Sequence, residues 1–171
     1  QDDGGTANSG IDLDASANTL TIDVTSVNDA PAGTNTTVTT LEDTQYVFSA
    51  ANFGFTDPND SPVNALTAVK ITTIPGAGSL TLSGGAVTAG QTVSVANINS
   101  GLLKFDAGAN AKGTGYTTFT FQVQDDGGTA NSGVDLDASA NTMTIDVTSV
   151  NDAPAGTDTT VTTLEDTQYT F

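Results

Sequence analysis

Apolar residues alternate with polar ones along most of this chain, and they do not keep a helical spacing over three turns. In Thr142–Val147 the apolar positions are Met143, Ile145 and Val147, and in Thr118–Val123 they are Phe119, Phe121 and Val123. Tyr46 with Phe48, Val69 with Ile71, and Leu103 with Phe105 repeat the pattern. Successive side chains of a strand point to opposite faces, so a period of two marks a strand with one face buried. Clusters of turn formers separate these runs: TDPNDSP at 56–62, PGAG at 75–78, SGG at 83–85, AGANAKG at 107–113 and DDGGTANSG at 125–133. The pattern predicts strands at 35–41, 45–51, 66–74, 79–83, 91–96, 102–106, 116–124 and 141–150, and no helix. Seven or eight short strands at this spacing predict an all-β fold, an antiparallel β-sandwich.

The pattern also repeats on a longer scale. Residues 1–48 return at 124–171 with four changes: Ile11 to Val134, Leu20 to Met143, Asn35 to Asp158 and Val47 to Thr170. The offset is 124 − 1 = 123 residues. Near-identity at a fixed offset marks a tandem array of small domains. A unit of this length is large enough to bury a core of its own. The expected division is 1–30 as the last loop and strand of one repeat, 31–153 as a complete repeat, and 154–171 as the first strand and the start of the second strand of the next. The chain then reads as a window on a longer repetitive polymer, whose function comes from repetition, stiffness and surface.

Charge narrows the partners. Twenty acids face only Lys70, Lys104 and Lys112, with no Arg or His, for a net charge of −17. Nucleic-acid binding needs a basic footprint, and anionic membrane surfaces attract basic segments, so neither partner is expected. No apolar run approaches the ~18 residues of a membrane span. Without Cys there are no disulfides, and without Cys or His, zinc, copper, haem and iron–sulfur sites are disfavoured. A small extracellular domain lacking disulfides needs another staple, and metal is the usual alternative.

Catalysis is not expected either. No His, Cys or Arg is present to activate a Ser or Thr nucleophile. Carboxylate pairs exist, but the only glutamates, Glu42 and Glu165, are repeat equivalents.

The ends of the unit carry a resemblance. Val150-Asn151-Asp152-Ala153-Pro154, like Val27–Pro31, follows a strand reading TIDVTS. About a dozen residues later comes Leu41-Glu42-Asp43-Thr44, repeated at Leu164–Thr167. Then come DPND at 57–60, LLKFDAGANAKG at 102–113 and an aromatic strand ending in QDDGG. This order resembles the bacterial and archaeal cadherin-like tandem repeats of giant surface adhesins, and the resemblance covers the whole chain. VNDAP with EDT at this spacing is fairly specific for that superfamily and does not single out one protein. The resemblance implies Ig/cadherin-like sandwiches strung in tandem, an extracellular or cell-surface location, and calcium (Ca2+) between successive domains. Asn28 and Asp29, or Asn151 and Asp152, match the ND of the family's linker. Glu42 and Glu165 match the glutamate ending the first strand. Asp57 and Asp60 match the acids of the second loop, and Asp125 or Asp126 those of the last loop. Ser26 and Ser149 depart from the pattern where the first linker aspartate is expected, and Asp106 stands alone where a paired acid is usual. Fewer carboxylates imply fewer or weaker ions per junction.

Strand order alone leads to a related expectation. In an up-and-down sandwich, Asn28, Asp29, Asp57, Asp60, Asp125 and Asp126 meet at one pole. Glu42, Asp43, Asp106, Asn151 and Asp152 meet at the other. Acids gathered where units abut would repel unless a hard cation bridged them, and calcium accepts six to eight oxygens from flexible loops. The same Asp, Asn and Gly are also ordinary turn residues. Asp135, Asp137, Ser139 and Asp146 have spacing like an EF-hand, but Ala140 stands where that loop needs Gly and Asp146 where it needs Glu.

The expected function is therefore a structural repeat of an extracellular adhesin or fibre, whose partners are the neighbouring repeats. Two alternatives stand beside it. One is an adhesion module gripping surface glycans or other cells, for which an exposed Phe53-Gly54-Phe55 would be the best candidate. The other is a filament subunit assembled by strand donation. Asn35-Thr-Thr is a glycosylation-type sequon, with Asp158 in its place in the second copy.

Overall fold

A computed structural model describes all 171 residues. Nine strands form in chain order: β1 (Thr36–Leu41), β2 (Tyr46–Val47), β3 (Leu66–Thr73), β4 (Ser79–Leu82), β5 (Gly85–Ala86), β6 (Thr92–Ser94), β7 (Leu103–Asp106), β8 (Gly113–Asp125) and β9 (Asn141–Thr148). One sheet has the order β1-β9-β8-β3-β6 and the other β2-β7-β4-β5. All pairings are antiparallel except β1 with β9. The core draws on both sheets, as in a β-sandwich. Val69, Ile71, Phe119, Phe121, Met143 and Ile145 come from the first sheet and Leu80, Leu103 and Phe105 from the second, with Phe48 and Phe53 beside them. Phe53 and Phe121 meet edge to face, their ring centroids 4.9 Å apart.

The parallel pair matters for the ends. β1 starts beside the start of β9, with Thr36 opposite Met143 and Leu41 opposite Thr148. The folded region is therefore entered at one end, here the front pole, and left at the opposite end, the rear pole.

Two expected strands are shorter than the alternation suggested. The strand predicted at 45–51 stops at Val47, and a 3-10 turn follows at Ala50–Phe53. Asn52 Oδ1 accepts the Ser49 N–H at 2.8 Å, closing that turn and driving Phe53 into the core with no exposure. The strand predicted at 91–96 stops at Ser94, whose Oγ accepts the Asn97 N–H at 3.2 Å and caps a one-turn helix, α1 (Val95–Asn99). A five-residue helix is too short to show a period in the sequence.

The repeated segments separate local from non-local structure. The turn at Leu41–Thr44 recurs at Leu164–Thr167, with the same 3.3 Å backbone hydrogen bond and left-handed Asp43 and Asp166. The 3-10 turn Ala130–Ser132 recurs at Ala7–Ser9. Strands do not recur. Met143, Ile145 and Val147 are buried in β9, whereas their copies Leu20, Ile22 and Val24 are 85%, 75% and 90% exposed. A turn is specified by its own residues, while a strand needs neighbours to complete its hydrogen bonds.

Candidate metal centre and linker socket

The front pole is formed by the linker from Asn28, the loop between Asp57 and Asn64, and the loop after β8. Asn28 sits in a socket. Its Nδ2 donates to Asp125 Oδ1 at 3.1 Å and to the Val134 carbonyl at 2.7 Å. Its Oδ1 accepts from Asn64 Nδ2, and its backbone carbonyl accepts the Val134 N–H at 2.9 Å. All the polar groups of the side chain are thus engaged. Two glycines make room. A Cβ on Gly127 would overlap Asn28 Oδ1 and Asn64 Nδ2, and one on Gly133 would press on the Asn28 Cβ at 3.0 Å. The next linker residue is held as well, since the Asp29 N–H donates to Asp60 Oδ2 at 3.0 Å.

The acids expected at this pole are there, and three are buried. Asp57, Asp60 and Asp125 are 3%, 7% and 3% exposed. Asp125 Oδ1 also accepts the Gly127 N–H at 2.9 Å. Asp57 Oδ2 accepts the Asn64 N–H at 3.0 Å, but its Oδ1 is buried with no hydrogen-bond partner. Asp126 is exposed and accepts the Ala65 N–H at 2.7 Å. Burial pushes the Asp125 carboxyl above the usual carboxylate range, and the nearby charges of Asp57 and Asp135 add to the rise against the lowering effect of its hydrogen bonds. No Lys, Arg or His occurs in residues 26–34, 54–65 or 124–140, so the pole has no cation of its own. A cavity of ≈ 150 Å³ opens here, with Ser26, Asn28, Asp60, Asn64 and Gly127 in its wall.

At the rear pole Glu42 is 4% exposed and accepts the Val150 N–H with Oε1, while its own N–H bonds the Thr148 carbonyl at 2.9 Å. The residue after it, Asp43, is exposed in the turn. Asp106 Oδ1 accepts the Gly108 N–H at 2.9 Å. Asn151 and Asp152 are exposed and make no side-chain hydrogen bond to the rest of the pole, and Glu165, the copy of Glu42 in the next repeat segment, is exposed as well.

Oxygen donors without a cation suit a hard metal ion such as calcium, and the orphaned oxygen of Asp57 is the atom such an ion would satisfy. The arrangement does not surround a point, however: no three carboxylates stand together as a metal-holding group. Asp57, Asp60, Asp125, Asp126, Glu42 and Asp106 each hold a backbone or side-chain N–H instead. Asp137, in the EF-hand-like stretch, is likewise occupied. It is 5% exposed and accepts from Gly33 N at 2.9 Å, Asn141 Nδ2 at 2.6 Å and Ser139 N at 3.0 Å. Asp135 Oδ2 accepts from Gln124 Nε2 at 2.9 Å, and Asp146 Oδ1 from Gly115 N at 2.6 Å. Nor do Phe53 and Phe55 form an exposed aromatic platform: Phe53 is buried and Phe55 packs against the core.

The sequence did not mark Asn64, Gly127, Gly133, Val134 or Asp137 as parts of the poles. Gly127 and Gly133 read as turn formers, and nothing in the local sequence says that a residue about 100 positions earlier fills the space beside them. No protein-family model matches this chain, and neither a curated protein nor a solved structure does. No helix is long and apolar enough to cross a membrane.

Proposed function

We propose that this chain is a stretch of an extracellular tandem-repeat fibre or cell-surface adhesin, with cadherin-like sandwiches of 123 residues joined at junctions that take up calcium. The observation that carries the reading is the buried Asp57 Oδ1, unpartnered in a pole that also buries Asp60 and Asp125 and contains no cation. A buried charge without a partner is costly, so it calls for a counter-ion. At the front pole Asp57, Asp60 and Asp125 would hold the ion, exchanging some amide donors for it. At the rear pole Glu42, Asp43, Asp106, Asn151 and Asp152 supply oxygens towards the next unit. Calcium there would neutralise the acids that successive poles bring together.

The parallel β1–β9 pair supports an extended array, because it puts entry and exit at opposite ends of the unit. On this reading the exposed apolar residues of 1–26 and 154–171 belong to neighbouring units and are covered when those units are complete. The role is mechanical: the array spaces and stiffens a surface structure and performs no catalysis. Calcium titration of the chelator-treated protein, followed by calorimetry, tests the proposal. Heat of binding with a rise in melting temperature supports it, and the absence of both at millimolar calcium contradicts it.

A further inference from the structure

We infer that the three residues Val150-Asn151-Asp152 are gripped from both sides, by the unit they leave and by the unit they enter, through hydrogen bonds that need no metal. The inference rests on the tandem-repeat reading and concerns how the same junction is held. One grip is the acceptance of the Val150 N–H by Glu42 Oε1 of the unit being left. The other is seen at the preceding copy of the linker. There Asn28 fills the socket of Asp125, Gly127, Val134 and Asn64, and the Asp29 N–H bonds Asp60. Val27–Pro31 and Val150–Pro154 have the same sequence, so Asn151 and Asp152 carry what the socket of the next unit requires. The loop half of that socket is itself repeated, since Asp2, Gly4 and Gly10 occupy the positions of Asp125, Gly127 and Gly133.

The spacing leaves little freedom. The Val150 and Asp152 nitrogens are two residues apart, at most about 7 Å along an extended backbone. Glu42 of one unit and the Asp60 equivalent of the next would therefore hold opposite ends of one short backbone segment. Every donor in this chain of contacts is a neutral amide, and the glycines that admit the Asn side chain remain whether or not an ion is present. The partner surface is a second copy of the front pole, and Asn151 is the plug that sets its register.

Amide hydrogen exchange measured by NMR at Val150 and Asp152 tests this, in the chain lengthened by one 123-residue period and kept in chelator. Both amides should exchange at least about tenfold more slowly than in a free VNDAP peptide, because hydrogen-bonded amides exchange on local opening. Asn151→Asp keeps an oxygen for a metal but cannot donate to the socket carboxylate, and it should lose the protection at Asp152. Glu42→Ala should lose the protection at Val150, whereas Glu42→Gln, which keeps the acceptor, should retain it. Strand amides such as that of Phe121 report separately that the units remain folded. Free-peptide exchange at both linker amides in the folded wild type would overturn the inference, as would unchanged protection in Asn151→Asp. Calcium titration of the same sample reports on the metal separately: protected amides with no calcium uptake would support the grip and contradict the calcium reading.

Discussion

Asn28 and Asp125 lie 97 residues apart in the chain, yet a 3.1 Å hydrogen bond joins them at the front pole. The bond ties the segment leading into the sandwich to the end of its longest strand. It is made possible by the missing side chain of Gly127, and the first prediction follows from that space. Gly127→Ala should cost about 1–3 kcal/mol, the usual range for overpacking a filled site. Gly76→Ala, where an added Cβ meets nothing within 4 Å, should be near neutral. Urea denaturation of the two variants checks this. Equal midpoints would mean that the Asn28 socket yields at no cost.

Asp125 gives the pole a pH dependence of definite sign. Its carboxyl is raised, first by burial and then by Asp57 and Asp135. The folded state therefore binds its proton more tightly than the unfolded state, and the associated stability is present at low pH and lost as pH rises through the folded-state titration. Asp125→Asn keeps an oxygen to accept from Gly127 and Asn28 and removes the charge. In chelator the variant should be more stable than wild type at pH 7, and the gap should close on acidification. Melting curves from pH 3 to 7 measure that gap, and a gap independent of pH would refute the assignment.

Asp57 carries the orphaned oxygen. Asp57→Asn can still accept the Asn64 N–H and replaces a buried carboxylate by a neutral amide, so in chelator it should be more stable than wild type. In calcium the order should reverse, since wild type gains from the ion and the variant gains less. Paired denaturation curves with and without calcium decide it, and a variant that ranks the same way in both conditions would remove Asp57 from the metal site.

The core prediction is simpler. Phe121 is fully buried against Phe53, and Phe121→Ala should cost about 3–5 kcal/mol. Denaturant unfolding measures the loss, and a cost under about 1 kcal/mol would mean that the core closes over the cavity.

Much of this fold was legible in the sequence because strands with one buried face advertise their period. Phe119, Phe121 and Val123 placed β8, and Met143, Ile145 and Val147 placed β9. Val69 and Ile71 placed β3. The strand at 45–51 was overread because Tyr46 and Phe48 alternate, while Asn52 bonding back to Ser49 ends the strand at once. At the poles, acids in turn-rich loops were visible as candidates, and Asp57, Asp60 and Asp125 are buried at one pole without standing together as a metal-holding group. What was not visible is how they are used. Asn28 plugging a hole above Gly127 is a contact between distant segments, and a glycine required for space looks in sequence like one required for a turn. Asp137 looked like a fragment of an ion loop and is a buried anchor for Gly33, Ser139 and Asn141.

The measurement closest to the central claim is calcium binding by the chelator-treated chain, read by isothermal calorimetry and by melting temperature. Binding to the native state alone adds RT ln(1 + [L]/Kd), about 2.7 kcal/mol at a hundredfold excess over Kd. The account predicts heat of binding, a higher melting temperature, and a smaller rise in Asp57→Asn. No heat and an unchanged melting temperature at millimolar calcium would contradict it, leaving a repeat whose poles are held by amides alone.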